Sequence, residues 1–174
     1  MSVTHEVTNQ VPPLVGHDPI AGDAALAEAC VRHADAAILD SLRDLGRLAG
    51  SEQAQEWGRV ANENPPKLRT HDRYGHRIDE VEFHPAWHDL MRTAVGHGLA
   101  GAPWTDPSPH AHVRRAVGYL GWTQVEMGHA CPTTMTYAVV PALRPAPDLA
   151  ARYEPGLTST AYESAWPSRR GSGA

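Results

Sequence analysis

Phenylalanine is almost missing from this chain: Phe83 stands alone among 174 residues, and aromatics amount to only 6%. A core with so few rings must be built from Leu, Val, Ala and Trp, and an alanine-rich chain poor in β-branched residues favours helices over sheets. Cysteine is equally scarce. Cys30 and Cys131 lie far apart, which excludes a disulfide scaffold. No apolar run approaches the ~18 residues that a membrane-spanning helix needs. The opening Met1-Ser2-Val3-Thr4-His5-Glu6 lacks the basic and apolar stretches of a secretory signal. Positive charge is in deficit: 15 Lys+Arg face 20 Asp+Glu, a formal net of -5. That balance argues against a broad nucleic-acid footprint and against a polybasic membrane anchor. Together the absences describe a soluble, cytoplasmic chain of single-domain size, long enough to bury a core.

Histidine, glycine and proline are plentiful, at 11, 15 and 15 residues. Residues 1–20 read as an extended arm, because Pro12 and Pro13 remove backbone donors and fix φ. Asp23 is a cap for a first helix from Ala24, striped by Leu26, Ala27, Cys30 and Val31. A second helix is predicted from Asp35 to Ala49, on Ile38, Leu39, Leu42, Leu45 and Leu48, with Gly50 as its stop. Ser51 caps a third helix reaching Ala61, with Trp57 and Val60 inward. Residues 67–83 change period and predict a hairpin turning at Asp72-Arg73-Tyr74-Gly75. Pro85 opens a fourth helix whose apolar face is Trp87, Leu90, Met91 and Val95. A fifth is expected from His110 to His129, with Val113, Val117, Leu120, Trp122 and Val125 inward. Cys131-Pro132 interrupts it. A sixth spans Thr133 to Leu143 and is ended by Pro145 and Pro147. The fold class is mainly α, about six helices plus one small β-hairpin. Residues 21–162 form the helical domain, and 163–174 read as a disordered tail.

Motifs that carry chemistry are weak. His84 and His88 share a helix face at i, i+4, and His110 and His112 lie two apart, yet no third ligand has metal-site spacing. No metal site is expected. Cys131 near His129 resembles an activated thiol only superficially, since free cysteines are mostly small buried hydrophobes. Glu126 is unusual because it sits in an apolar stretch. Nucleotide-binding glycine motifs do not occur. No catalytic residue is assigned.

Longer strings are more specific. Thr4-His5-Glu6-Val7-Thr8-Asn9-Gln10 comes first, then Gly58-Arg59-Val60-Ala61-Asn62-Glu63-Asn64-Pro65-Pro66. Gly75-His76-Arg77-Ile78-Asp79-Glu80-Val81-Glu82-Phe83-His84-Pro85-Ala86-Trp87-His88 follows. Gln124-Val125-Glu126-Met127-Gly128 and Cys131-Pro132-Thr133-Thr134-Met135-Thr136 complete the series. In this order the strings resemble the N-terminal region of the AidB-like, adaptive-response branch of the acyl-CoA dehydrogenase flavoproteins. The resemblance implies a helical N-terminal domain of the acyl-CoA dehydrogenase type. In full-length members a β-domain and a helical bundle follow, FAD is bound, the assembly is a homotetramer, and the branch is linked to the alkylation-damage response.

The family's flavin motif has no counterpart here, nor do its catalytic-base and DNA-binding regions, so none of those residues is carried over. The chain therefore reads as a truncated oxidoreductase domain, inactive and flavin-free alone, with DNA binding not expected; a non-catalytic oligomerisation or interaction module is the alternative. In the family this domain covers one side of the flavin and acyl pocket. Glu126, Cys131, Thr133, Thr134, Met135 and Thr136 are the expected pocket-lining residues. The competing reading makes Met135 and Tyr137 core and gives the threonines a capping role. Asn9, Gln10, Pro12, Pro13 and Leu14 are expected at an interface between subunits.

Overall fold

The computed structural model describes residues 4–164. The expected tail from residue 165 onward lies outside the described residues. Eight α-helices and one hairpin make up the described chain: α1 (Ala24–His33), α2 (Ala37–Ser41), α3 (Arg43–Ala49), α4 (Glu52–Glu63), β1 (Lys67–His71), β2 (Arg77–Glu82), α5 (Pro85–Gly96), α6 (Ala111–Trp122), α7 (Ala130–Leu143) and α8 (Pro147–Leu157). The mainly α class with a single hairpin is as expected.

Local chemistry sets most of these boundaries. The Asp23 carboxylate accepts the Leu26 N–H at 3.0 Å and starts α1. The Ser51 hydroxyl accepts from Ala54 N at 3.2 Å and starts α4. Pro85 occupies the first position of α5, where its missing N–H costs nothing. In the hairpin turn, the Asp72 carboxylate accepts from Tyr74 N at 2.8 Å and His76 N at 2.9 Å. Gly75, at φ 88°, supplies the left-handed step.

The core is centred on Ile20, Cys30, Leu42, Leu45, Leu90, Leu99 and Trp122, each 0–1% exposed. Ile20 comes from the end of the arm. The N–H of Gly16 donates to Gly50 O at 2.7 Å, which ties the chain down just before Ile20 enters. The backbone of His17 lies so close to Gly50 that any side chain there would collide with it.

Four expectations about elements need correcting. The second helix is two, α2 and α3, parted at Leu42. Ser41 Oγ donates back to Ile38 O at 2.7 Å, competing with the helical ladder at that point, and the break keeps Leu42 and Leu45 both at 0% exposure. The fifth helix stops at Trp122 rather than His129, and residues 123–129 form a turn. Its buried face is Val117, Gly118, Gly121 and Trp122, so Leu120 points outward at 54% exposure. Cys131-Pro132 does not interrupt a helix; both sit in the first turn of α7. Pro147 begins α8 instead of ending its predecessor.

The hairpin stands clear of the body. Lys67 pairs with Glu82, Leu68 with Val81 and Arg69 with Glu80, and every strand residue is exposed. Its charged face is held by a 2.7 Å ion pair between Arg69 and Glu82.

Candidate functional site

Helix α7 carries five of the six expected pocket residues next to a cleft of about 580 Å³. The cleft lies between α5, α7, the end of α8 and the segment 159–163, and its lining includes Met91, Val95, Thr133, Thr136, Leu157 and Tyr162. That volume is in the range of small-molecule sites. Thr133 is buried; its hydroxyl donates to His129 O at 2.8 Å and reaches Met91 Sδ at 3.9 Å. Thr136 donates to Pro132 O at 2.8 Å. Both hydroxyls thus spend their protons on the helix and offer lone pairs and methyl groups to the cleft.

The other expected residues lie elsewhere. Cys131 and Met135 are exposed on the opposite side of α7, and Ala138 and Ala142 continue that stripe at helical spacing. Met135 is 66% exposed, so the reading of it as core is corrected. Thr134 accepts from Arg115 at 3.4 Å. That guanidinium lies between the rings of Tyr119 and Tyr137, 4.4 Å and 4.2 Å from their centroids.

Glu126 is buried in the turn between α6 and α7. Its carboxylate accepts from Gly128 N at 2.5 Å, His129 N at 2.9 Å and His129 Nδ1 at 3.0 Å. Burial pushes its acidity down, but the hydrogen bonds from His129 and Gly128 outweigh burial and hold the carboxyl below its usual range. His129 is fully buried, and burial keeps its imidazole below the ordinary histidine range despite Glu126 beside it. The Nε2 atom of His129 is buried with no hydrogen-bond partner.

Of the paired histidines, His84, His88 and His112 are engaged by other partners. His84 accepts from Ala86 N at 3.2 Å and caps α5. His88 meets the Tyr162 hydroxyl at 2.8 Å, and His112 meets the Tyr137 hydroxyl at 2.8 Å. Among the described residues no group of three His, Cys, Asp or Glu side chains is placed to hold a metal. The Tyr162–His88 contact ties the segment after α8 across the cleft, with Arg92 5.9 Å from the Tyr162 ring centroid. Sequence reasoning missed it because the two residues are 74 positions apart. The helical spacing of His88 and Arg92 was the available signal.

The arm residues Asn9, Gln10, Pro12, Pro13 and Leu14 are all exposed. Pro12, Pro13 and Val15 form one side of a groove whose other side is α4, at Glu52, Glu56 and Arg59.

The same arrangement of helices is found in solved structures. The chain superposes with a TM-score of 0.75 on Caenorhabditis elegans ACDH-11, whose crystal structure is in complex with C11-CoA, at 20% identity over 92% of this chain and 29% of that one. It superposes with a TM-score of 0.76 on the apo-form of Bd2924, at 23% identity over 89% of this chain and 32% of that one. More narrowly, residues 9–164 match the model of the adaptive response protein AidB N-terminal domain, and the chain belongs to that family. Putative acyl-CoA dehydrogenase AidB of Escherichia coli strain K12 is 40% identical over 141 residues, which is 80% of this chain and 26% of that relative. The chain thus spans about a quarter of that relative's length.

Proposed function

We propose that this domain serves as one wall of a flavin-dependent acyl-CoA dehydrogenase-like site of the AidB type, acting on CH–CH groups, and performs no redox chemistry by itself. The supporting observation is α7. One side of the helix is anchored by buried Ala130, Thr133 and Val140, while the other presents Cys131, Met135, Ala138 and Ala142 to solvent. A soluble helix with apolar residues on its outward face is built to be covered.

The residues present fit one wall and not a whole FAD site. Cys131 and Met135 suit an apolar acyl chain or the flat face of a ring. A diphosphate needs cations or a free helix N-terminus. The N-terminus of α7 is already taken by the Glu126 carboxylate, which repels an anion. FAD therefore belongs to the assembled site, where it would supply the hydride-accepting chemistry. This chain contributes the wall residues Cys131, Thr134 and Met135, while Thr133 and Thr136 shape the cleft behind them and Glu126 fixes the start of α7. The link to the alkylation response, a homotetrameric assembly and a cytoplasmic location belong to the same proposal. DNA binding does not, given the net charge of -5. Among the described residues no helix is long and apolar enough to cross a membrane.

A second reading makes the chain an interaction module. It is favoured by the arm, where Val7, Val11 and Leu14 are 68%, 91% and 72% exposed. Thiol labelling separates the two readings. Cys131 is exposed and Cys30 is buried. Adding the purified flavin-binding remainder of an AidB-like protein should slow alkylation of Cys131. Unchanged Cys131 labelling in a complex that does form would sink the wall reading and leave the module.

A further inference from the structure

The turn between α6 and α7 holds a buried ionisable pair whose protonation plays no part in the proposed wall. Glu126 accepts a hydrogen bond from the Nδ1–H of His129 at 3.0 Å, and the opposite ring nitrogen, Nε2, is buried with no partner. The same carboxylate accepts the main-chain N–H groups of Gly128 and His129. One side chain therefore fixes both the ring and the start of α7.

The surroundings of the ring are apolar or neutral. From α6 comes Trp122, edge-on with centroids 6.0 Å apart, and its indole N–H donates to Leu90 O of α5 at 3.3 Å. From α7 comes Thr133, bonded to His129 O and touching Met91 of α5. Helix α4 meets the turn at Gly58, against the Val125 carbonyl. Glu126 is the charge that acts on His129. The titratable groups of α5 are engaged elsewhere: His88 with Tyr162, and Arg92 with Asp89 at 2.5 Å.

We infer that protonation of His129 unlatches the 123–129 turn, so that the start of α7 loosens under mildly acidic conditions. In the closed turn the incoming proton has one place to go, Nε2, where it creates a buried N–H without an acceptor. In the opened turn water accepts that hydrogen bond. The opened form binds the proton more tightly, so acid shifts the population toward it. The depressed proton affinity that burial gives the ring agrees with this direction. Opening also frees the N–H groups of Gly128 and His129 and the first turn of α7, which carries Cys131. The device does not depend on what covers α7.

Amide hydrogen exchange on the full chain tests it, with rates corrected for intrinsic pH dependence. From about pH 6.5 downward, the opened fraction at Gly128 to Cys131 should rise up to about tenfold per pH unit. Leu90 and Ala94 in the core of α5, which open only with the whole domain, should stay better protected than the turn throughout. The His129→Gln variant keeps a donor for Glu126 but cannot titrate, and its profile should be flat. A flat profile in the unaltered protein overturns the inference. So does an equal slope in His129→Gln, or a turn that is at no pH less protected than Leu90. Should the variant not fold, the ring titration of His129 by NMR in the unaltered protein decides. A midpoint clearly below about 6.5, coincident with loosening of the turn, supports the device. A midpoint at or above that value overturns it.

Discussion

Ile20 occupies the space where a side chain at Gly121 would stand. Its Cδ1 would lie 2.8 Å from a methyl group placed there, and its Cγ1 closer still. The end of the arm is thus keyed into α6, and the key works only while position 121 has no side chain.

Gly121→Ala should therefore destabilise the domain by about 1–3 kcal/mol, the usual cost of overpacking a filled core. Ile20→Ala should cost about 2–5 kcal/mol by leaving a cavity. Urea unfolding followed by tryptophan fluorescence measures both. A neutral Gly121→Ala would mean that the arm is not seated as described.

Stability should fall on acidification in two stages. Burial lowers the proton affinity of His88, His97 and His129 in the folded chain, assisted by Arg92 at His88 and Arg114 at His97. A histidine that is harder to protonate when folded contributes fully above its unfolded value, about 6.5, and loses that contribution as the pH falls beneath it. Glu126 is held below its ordinary range, so its contribution disappears in a second stage, beneath about pH 4.5. Thermal unfolding midpoints recorded from pH 8 to pH 3, a range of about five units, check the order.

Glu126→Ala removes three hydrogen bonds and strands two main-chain donors at the start of α7. A loss of about 1–3 kcal/mol is expected. Glu126→Gln should recover part of it, since the amide oxygen still accepts. Equal losses in both variants would show that charge, rather than capping, is what the site requires.

Tyr162→Phe deletes the hydroxyl that meets His88 and leaves the ring in place. Global stability should fall by only about 0.5–1.5 kcal/mol. Limited proteolysis should show faster cleavage between Leu157 and Glu163, because that contact holds the segment across the cleft. Unchanged cleavage would show that the hydroxyl contact does not hold the segment.

Outer-face variants of α7 should behave differently. Met135→Ser touches a residue that is 66% exposed and should stay within about 0.5 kcal/mol of the parent. Thr133→Val replaces a buried hydroxyl that serves His129 O and should cost more. Reversal of this order in denaturant unfolding would contradict the assignment of faces.

Helix starts and the hairpin turn were legible in the sequence because their causes are local. Asp23, Ser51, Asp72, Gly75 and Pro85 each act within four residues of themselves. The missed features have causes outside any short window. The break at Leu42 depends on how α2 and α3 share one core. Pro147 marks a start or a stop equally well until its neighbours are known. Glu126 looked like a residue of a long helix because Val117 and Val125 keep helical spacing across the turn. The pocket strings pointed to α7 but not to its faces: Thr133 and Thr136 turn to the cleft, while Cys131 and Met135 turn away.

On the proposed reading this domain supplies a wall of a flavin site and does not hold the flavin alone. Titrating the purified chain with FAD and recording the visible absorbance of the protein fraction after gel filtration tests it most directly. The flavin should elute free of the chain. A flavin band that co-elutes with the chain at one equivalent would contradict it.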